Sequence, residues 1–431
     1  MTVGIVGAGP VGLTYAVGLA KKGFGVQVVD IDKNKINSLR GGKVPFYEKG
    51  LEEALSQAII LGTIAFWDQW NLDTLPDIWI ICVGTPEGKD GRADLRFYKG
   101  ALSSLVPFLK NQAIVINKST VPLGTAQMAD AFFKTQVPDK KIFVLSNPEF
   151  LAQGKSMEDF WDPQRIVIGQ GHPEEFVRKS LEEIYGWAKC PFVWTDWNTA
   201  ELIKYASNAY LATQISFINS IAGICESIGA DVTEVAAAMK LDDRIGKKAF
   251  LGAGLGYGGS CFSKDIQSLI SLGKETGAAV ELLEAVDHMN DKQIRRFISK
   301  ITGALGGDIT GKTIAIWGLA FKPHTDDLRS APSIEIIDSL ESLGAKVRAY
   351  DPKVGEKILA RCPGVRVCSS AGEAASGADC IALCTQWEEF RDVSFEELAA
   401  SVRSPILVDG RNQFDKELLA GLGWKYISIG R

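Results

Sequence analysis

The sequence of 431 residues predicts an α/β protein in which two parallel, doubly wound sheets are joined by a helical segment. Three observations support this fold class. Apolar strand-like runs alternate with helical runs in the first part of the chain, a long helical run occupies about 198–228, and a strand, turn, helix and strand recur from Lys312. Strands that alternate with helices form parallel sheets covered on both faces. We therefore expect three domains, at 1–197, 198–302 and 303–431.

The first strand is followed by a glycine pattern that is typical of dinucleotide binding. Gly7, Gly9 and Gly12 stand in G-x-G-x-x-G order, a helical run follows, and the next apolar run ends at Asp30. Gly7 permits a tight turn, Gly9 lets the backbone approach a pyrophosphate, and Gly12 allows close packing of the helix. The sequence therefore predicts a Rossmann-like domain.

Asp30 also bears on the choice of cofactor. A carboxylate at this strand end accepts hydrogen bonds from a ribose diol and repels a 2′-phosphate, which favours NAD over NADP. Lys33 and Lys35 lie close in sequence and weaken that preference.

The remaining elements follow the same periodic patterns. Further strands of the first domain are predicted at 78–83, 113–117, 141–145 and 165–168, and a second helix-rich stretch at 265–301. In the last domain only Gly318 remains of the glycine triplet. The acid that ends the second strand, Asp351, lies more residues after this glycine than Asp30 lies after Gly7. This spacing predicts a nucleotide-like ligand that is not a dinucleotide in the usual pose. A purely structural α/β domain is the alternative.

Composition excludes several classes of protein. The net charge is −5, from 47 Lys and Arg against 52 Asp and Glu, which argues against a chain that coats nucleic acid. No apolar run approaches the ~20 residues that a membrane span needs. The eight cysteines show no paired metal-binding spacing, so no metal site is expected. The start of the chain carries no basic or apolar leader, which favours a cytoplasmic location with reduced thiols.

One cysteine stands in a setting that favours reactivity. Cys261 follows a glycine-dense loop, precedes a predicted helix, and is followed by Lys264 and Asp265. A helix N-terminus and a nearby ammonium both stabilise a thiolate. The chain has only three histidines, so its chemistry is expected to proceed without a histidine base. With NAD, a thiolate permits oxidation of an aldehyde through a thiohemiacetal and a thioester, which is then hydrolysed to an acid.

Such a site needs groups that stabilise an oxyanion and activate water. Glu149 follows a predicted strand, Ser119 and Thr120 follow another, and Lys204 and Asn208 share a helix face at i, i+4 spacing. Each has a structural alternative: a solvated carboxylate, a helix cap, and a solvent-facing stripe.

Motifs spread over the whole chain resemble the nucleotide-sugar 6-dehydrogenase family. They occur in family order at 85–86, 119–125, 147–154, 204–208, 244–246, 258–265, 318–329 and 409–412. The resemblance implies oxidation of UDP-glucose to UDP-glucuronate with two NAD⁺. It also implies at least a homodimer formed through the long central helix.

The resemblance assigns a role to each matching residue. It implies that Cys261 is the nucleophile, that Lys204 and Asn208 stabilise the oxyanion, that Asp265 handles protons through a water, and that Glu149 with Thr120 activates the hydrolytic water. Besides Lys204, Asn208 and Glu149, residues implied to bind the sugar or its nucleotide are Phe150, Leu151, Arg244, Phe250, Leu251, Tyr257, Gly258, Lys322 and Arg411. Arg244 would act in the neighbouring subunit's site. Residues implied to bind NAD, besides the three glycines and Asp30, are Val11, Lys35, Thr85, Ser119, Thr120, Gln153, Lys264 and Arg329.

Departures from the family pattern leave some questions open. Gln153 stands where many members carry a second glutamate. Hydrolysis of the thioester is therefore expected either to depend wholly on Glu149 or to be slower than in those members. Tyr257 replaces the usual phenylalanine, and Ser263 a frequent proline. Phe262 after the cysteine matches the UDP-glucose branch, with GDP-mannose or dTDP-glucose as alternative substrates. A non-catalytic nucleotide-sugar-binding protein is the alternative from another class.

Overall fold

The computed structural model describes residues 1–70, 75–86, 88 and 93–431. The chain separates into two compact units, Met1–Ser207 and Asn208–Arg431. The division into three domains stays a prediction. Within the described residues, no helix has the combination of length and apolar character that crossing a membrane requires.

The first unit is built on an eight-stranded sheet in the order β3-β2-β1-β4-β5-β6-β7-β8. Its strands are β1 Thr2–Val6, β2 Gly25–Val29, β3 Ile64–Trp67, β4 Ile78–Ile81, β5 Gln112–Asn117, β6 Lys141–Ser146, β7 Ile166–Gln170 and β8 Phe192–Thr195. Its helices are α1 Pro10–Lys21, α2 Lys33–Arg40, α3 Leu51–Ile60, α4 Arg96–Leu105, α5 Thr125–Gln136, α6 Ser156–Trp161 and α7 Glu175–Tyr185, with a short 3₁₀ helix at Val106–Phe108. Every residue of β4 is buried, as expected for a parallel strand covered on both faces. The doubly wound fold is confirmed.

One strand pairing departs from the parallel sheet that the alternation predicts. β6 and β7 are antiparallel, with Leu145 opposite Gln170 and Ser146 opposite Gly169. The segment between them contains only the six-residue α6 and stays at the carboxyl end of β6. A parallel pairing needs a crossover that returns the chain to the other end of the sheet, and this segment makes none. Two segments that the pattern did not identify as strands, β3 and β8, form the sheet's edges.

The predicted glycine turn lies between β1 and α1. Gly7 has φ +100°, and a Cβ there would lie 2.7 Å from the carbonyl oxygen of Cys82. A Cβ on Gly12 would lie 2.0 Å from the carbonyl oxygen of Gly7. Both positions therefore exclude a side chain, one for the turn and one for close packing.

The second unit carries a six-stranded parallel sheet in the order β11-β10-β9-β12-β13-β14. Its strands are β9 Thr313–Trp317, β10 Lys346–Tyr350, β11 Arg366–Val367, β12 Cys380–Leu383, β13 Ile406–Asp409 and β14 Lys425–Ser428. Around it lie α12 Pro332–Ser342, α13 Ala371–Ala375, α14 Phe395–Ser401 and α15 Lys416–Gly421, with 3₁₀ helices at Gly355–Ala360 and Glu388–Asp392. The second Rossmann-like sheet is thereby confirmed.

The carboxylate of Asp351, the residue that follows β10, is used in hydrogen bonds within the protein. Asp351 is buried, and its Oδ2 accepts hydrogen bonds from the N–H groups of Leu319 and Ala320 and from the indole of Trp387. Its Oδ1 accepts from the backbone of Lys353 and Val354. The carboxylate therefore ties the turn after β9 to the end of β10.

The long central helix is also confirmed. α8 spans Trp197–Ile228, which is 32 residues, and it runs through the point where the two compact units are divided. Asp196 starts it by accepting hydrogen bonds from the N–H and hydroxyl of Thr199. The second unit continues with α9 Val232–Met239, α10 Phe262–Thr276 and α11 Glu281–Ala304.

Candidate active site

Cys261 is the exposed thiol of the chain. It occupies the N-cap position of α10, where unpaired backbone N–H groups favour a negative charge. Six of the other cysteines are buried and Cys190 is partly buried. Burial raises the pKa to about 12 for Cys82, Cys362, Cys380 and Cys384. Of the eight cysteines, Cys261 is therefore the one whose position favours a thiolate.

The loop before Cys261 packs closely against the segment at Arg329 and Ser330, because Gly258 and Gly259 have no side chains. A Cβ on Gly258 would lie 2.2 Å from the carbonyl oxygen of Ser330. The N–H of Gly259 donates to the carbonyl oxygen of Arg329 at 3.0 Å. The pKa of Arg329 is raised, mainly by its hydrogen-bonded ion pair with Asp327 and also by Cys261. The loop thus brings a guanidinium within electrostatic range of the thiol.

The first turn of α10 carries a fully buried carboxylate. Asp265 Oδ1 pairs with Lys264 Nζ at 2.8 Å, and Asp265 Oδ2 accepts from Asn208 Nδ2 at 2.6 Å. The N–H of Asp265 donates to the carbonyl oxygen of Cys261 at 2.9 Å. Asn208 is itself 6% exposed, so the carboxylate, amide and ammonium form one cluster, largely shielded from solvent, next to Cys261.

Glu149 and Lys204 form an ion pair in the first unit. Their charged atoms lie 3.0 Å apart, and the two side chains are 8% and 6% exposed. The N–H of Leu151 also donates to Glu149 Oε2 at 2.6 Å. Neither the solvated carboxylate nor the solvent-facing lysine, which sequence left open as alternatives, fits these contacts.

The ring of Phe150 lies beside this ion pair. Lys204 Nζ lies 5.5 Å from the ring centroid of Phe150, and the guanidinium of Arg165 lies 3.9 Å from the same centroid. Leu151 is half-buried and packs against the core of the first sheet. Gln153 lies half-buried in the turn that leads to α6.

The remaining predicted residues of the first sheet, Thr85, Ser119 and Thr120, follow the carboxyl ends of β4 and β5. Ser119 Oγ donates to the carbonyl oxygen of Val83 at 2.8 Å, and Thr85 Oγ1 donates to the carbonyl oxygen of Thr120 at 2.6 Å. The next helix, α5, has Gly124 as its N-cap, so Thr120 is not a helix cap. The structure therefore brings Thr85, Ser119 and Thr120 together beyond the carboxyl ends of these two neighbouring strands.

Two buried carboxylates that sequence analysis did not single out stabilise the loops that lead into α5 and α6. Glu201 accepts from the N–H groups of Gly124 and Ala126, and burial raises the pKa of Glu201 to about 7. Glu48 accepts from the N–H groups of Gly154 and Ser156. Glu201 lies one helical turn before Lys204, which is the only sequence signal it carries; Glu48 carries none.

The residues around the glycine turn fit a bound NAD. No side chain caps the N-terminus of α1, its first turn has no acidic residue, and a Cβ on Gly9 would meet nothing within 4 Å. The half-buried Val11 lies in this first turn. These features leave backbone N–H groups and open space for a pyrophosphate.

Asp30 lies at the end of β2 with Lys35 beside it. Burial acts to raise the pKa of Asp30, but hydrogen bonds from the backbone of Asp32 and Ala8 and from Lys35 lower it overall. The ammonium of Lys35 lies 2.9 Å from Asp30 Oδ2. The carboxylate is therefore held ionised, as an acceptor of ribose hydroxyls requires.

The residues predicted for the nucleotide side converge around Phe321 in the second unit. Arg411 donates through Nε to the carbonyl oxygen of Cys384 at 2.7 Å and through a terminal nitrogen to that of Phe321 at 3.4 Å. Lys322 Nζ lies 5.6 Å from the ring centroid of Phe321. Burial lowers the pKa of Arg411 to about 10. Two cations are thus gathered at one place in an acidic protein.

The residues predicted for the sugar pocket differ in their environments. Leu251 and Tyr257 are buried, whereas Phe250 is 46% exposed and its N–H donates to Gln214 Oε1. The hydroxyl of Tyr257 is buried without a hydrogen-bond partner among the described residues. Arg244 is highly exposed and pairs with Asp242, two positions earlier.

The fold and these groups are those of NAD-binding dehydrogenases, and sequence comparison specifies which kind. Three models of the UDP-glucose/GDP-mannose dehydrogenase family match in succession: the NAD-binding domain over residues 1–189, the central domain over 198–292 and the UDP-binding domain over 315–416. The chain belongs to the UDP-glucose/GDP-mannose dehydrogenase family.

Individual relatives agree over the full length. A UDP-glucose 6-dehydrogenase of Rhizobium meliloti is 40% identical, with 100% of both chains covered. The UDP-glucose 6-dehydrogenase TuaD of Bacillus subtilis is 39% identical, over 100% of this chain and 93% of the relative. A solved UDP-glucose dehydrogenase structure from Pyrobaculum islandicum has a TM-score of 0.90 at 33% identity, covering 99% of this chain and 96% of the other.

Proposed function

We propose that this protein oxidises the C6 alcohol of UDP-glucose to the carboxylate of UDP-glucuronate, using two NAD⁺ and one water. The observation that carries the proposal is the exposed Cys261 at the start of α10, beside the cluster of Lys264 with the buried Asp265 and Asn208. A simple alcohol dehydrogenase needs no nucleophilic thiol, whereas oxidation of an aldehyde to an acid needs a tetrahedral adduct that can lose hydride, and a thiolate forms one. The relatives named UDP-glucose 6-dehydrogenase support this substrate.

The first oxidation removes a hydride and a proton from the C6 alcohol. NAD⁺ held at the glycine turn and Asp30 would supply the hydride acceptor in each oxidation. Asp265 takes the hydroxyl proton through a water, and the ammonium of Lys204 with the amide of Asn208 stabilises the negative charge that develops on oxygen. The aldehyde stays bound for the next step.

The second oxidation proceeds on the cysteine. The Cys261 thiolate adds to the aldehyde carbon to form a thiohemiacetal, whose oxygen is stabilised by Lys204 and Asn208. Loss of the hydride from this carbon forms a thioester. Two of the four electrons leave in each oxidation.

Water then releases the product. Glu149 accepts a proton from a water that Thr120 helps to orient, and the resulting hydroxide attacks the thioester carbonyl. The carbon–sulfur bond breaks, the acid leaves, and the Cys261 thiolate is restored. Gln153 carries no charge and cannot act as a base, so the proposal gives Glu149 the whole of this role.

The remaining predicted residues bind the two ligands. For the nucleotide sugar we assign Phe150, Leu151, Arg244, Phe250, Leu251, Tyr257, Gly258, Lys322 and Arg411. For NAD we assign Gly7, Gly9, Val11, Gly12, Asp30, Lys35, Thr85, Ser119, Thr120, Gln153, Lys264 and Arg329. We also place the protein in the cytoplasm, because its eight cysteines are free thiols, which a reducing compartment preserves.

Stoichiometry tests the proposed function directly. With limiting UDP-glucose and excess NAD⁺, two NADH per sugar are expected, because both the alcohol and the aldehyde are oxidised. NADH is followed by absorbance and the acid by mass spectrometry. One NADH per sugar would indicate a simple alcohol dehydrogenase, and none would indicate a non-catalytic binding protein. The same assay with dTDP-glucose, GDP-mannose and UDP-N-acetyl sugars tests the alternative substrates.

We also propose that the protein is at least a homodimer through α8. Tyr210, Phe217 and Ile224 are spaced by seven residues on this helix and are 64%, 46% and 55% exposed. That spacing places the three side chains on one helical face, and exposed apolar stripes of this kind mark association surfaces. Such a face suits a second copy of the same helix.

Charges on this face are expected to dissociate the dimer. The double variant Phe217→Asp and Ile224→Asp should sediment as a monomer at micromolar concentration, because carboxylates would be desolvated at the interface. Ile60→Asp, at an 83% exposed apolar position on α3, is the control and should leave the mass unchanged. A double variant that keeps the wild-type mass would disprove the assignment of α8.

A further inference from the structure

Lys118 is a buried ammonium next to the turn that carries Glu149. The residue follows β5 and is 1% exposed. Its Nζ donates to the carbonyl oxygen of Asn147 at 3.0 Å and to Asn147 Oδ1 at 2.8 Å, and it lies 4.1 Å from the ring centroid of Tyr15. Both oxygens of one residue are therefore bound by a single cation.

Asn147 is a junction between three strands. Its N–H donates to the carbonyl oxygen of Asn117, its Nδ2 donates to that of Val167, and its Oδ1 also accepts from the hydroxyl of Tyr185 at 2.7 Å. Pro148 and Glu149 follow directly. The position of Glu149 therefore depends on how firmly Asn147 is held.

Packing alone does not hold this turn. A cavity of about 100 Å³ borders Lys118, Asn147, Pro148 and Phe150, so the turn has space on one side. On that side the turn has fewer protein atoms to pack against. The hydrogen bonds from Lys118 therefore carry a larger share of the constraint.

The charges around Lys118 oppose one another. Burial lowers the pKa of Lys118 to about 7, Cys82 and Glu149 act to raise it, and Lys204 acts to lower it. The tyrosine rings of Tyr15 and Tyr185 also face the ammonium. Other charged residues lining the cavity are Asp159, Asp162 and Arg165. The two members of the Glu149 and Lys204 ion pair therefore act on the pKa of Lys118 in opposite directions.

We propose that Lys118 is a positioning residue for thioester hydrolysis, holding Asn147 so that Glu149 faces the attacking water. The inference rests on the proposed function of Glu149. Lys118 acts through Asn147 and does not touch the substrate. Its loss should therefore slow hydrolysis while leaving substrate binding and both oxidations in place.

The test follows the covalent intermediate in Lys118→Met. After mixing with UDP-glucose and NAD⁺, we expect the thioester to decay about tenfold to a hundredfold more slowly than in wild type, since small displacements of a catalytic group have effects of this size. KM for UDP-glucose and the initial NADH burst should change by less than about threefold. Rapid quenching and intact-mass spectrometry measure the adduct. The matched control is Tyr185→Phe, which removes a neutral hydrogen bond to the same Asn147 oxygen and should leave decay within about threefold of wild type.

A pH profile of the wild-type enzyme tests the inference without any variant. The side chain of Lys118 is a charged ammonium below its pKa of about 7 and a neutral amine above it. A charged donor binds an acceptor more strongly than a neutral one. Adduct decay should therefore slow as pH rises through about 7. Asn147→Ala removes the Oδ1 acceptor and keeps the backbone carbonyl that Lys118 also binds, so its adduct should decay more slowly than in wild type and show a smaller break.

The outcomes separate the two proposals. Decay in Lys118→Met as fast as in wild type, or a wild-type profile with no fall through pH 7, would overturn the role of Lys118 and leave the proposed function intact. Absence of a covalent adduct in every variant, together with one NADH per sugar, would overturn the proposed function itself.

Discussion

Cys261→Ala is expected to reduce UDP-glucuronate formation by roughly 10⁴-fold or more, the size of loss seen when a catalytic nucleophile is removed. Without the thiolate no thiohemiacetal forms, so the aldehyde has no route to a thioester. The acid is measured by mass spectrometry, and NAD⁺ affinity by calorimetry. NAD⁺ affinity should be unchanged, because Cys261 is not among the residues assigned to NAD, and the glycine turn and Asp30 lie in the other compact unit.

A second thiol variant controls for the loss of a cysteine as such. Cys190 is partly buried, and burial raises its pKa, so Cys190→Ala should retain full acid formation. If Cys261→Ala still produces acid at the wild-type rate, the covalent mechanism is wrong. If NAD⁺ affinity falls in parallel with activity, the variant has damaged the protein and not only the reaction.

Glu149→Gln should trap the thioester. Both oxidations should proceed and release two NADH per active site in a burst, after which turnover should be slower by about 10²- to 10⁴-fold, the usual contribution of a general base. The glutamine keeps a similar shape but cannot accept the proton. Intact-mass spectrometry should show the protein carrying the UDP-glucuronyl group on Cys261.

The control for this variant is another carboxylate with an ion-pair partner. Glu175 is exposed and pairs with Lys179, so Glu175→Gln should leave turnover unchanged. A Glu149→Gln enzyme that fails in the first oxidation would instead place Glu149 with Lys204, its partner at 3.0 Å, in the oxyanion role. A variant with normal turnover would remove Glu149 from the mechanism.

The local parts of the fold were predictable from sequence. Gly7 and Gly318 mark turns whose geometry depends on neighbouring residues, and the long helix α8 has no proline and begins beside a capping aspartate. The antiparallel pairing of β6 with β7 was not predictable, because it depends on where the chain goes between the strands. Alternation of strands and helices carries no information on that path.

The candidate site was predictable in its residue types but not in its environments. Cys261 stood out because its loop, helix and neighbouring charges are contiguous in sequence. The burial of Glu149 against Lys204 joins segments that are distant in sequence, so a solvated carboxylate was an equally valid interpretation. Lys118 looked like an ordinary lysine, although it is one of the most buried side chains in the first unit.

The repeated acid at the end of the second sheet shows how a motif can keep a residue and change its task. Asp351 receives five donated hydrogen bonds from within the protein, and a carboxylate has about four lone-pair positions to offer. It is saturated and has no acceptor capacity left for a sugar hydroxyl. Although the chain contains the strand–turn–helix–strand–acid pattern twice, only one copy can recognise a ribose through its aspartate. Counting such patterns in a genome would therefore overestimate the number of dinucleotide sites per chain.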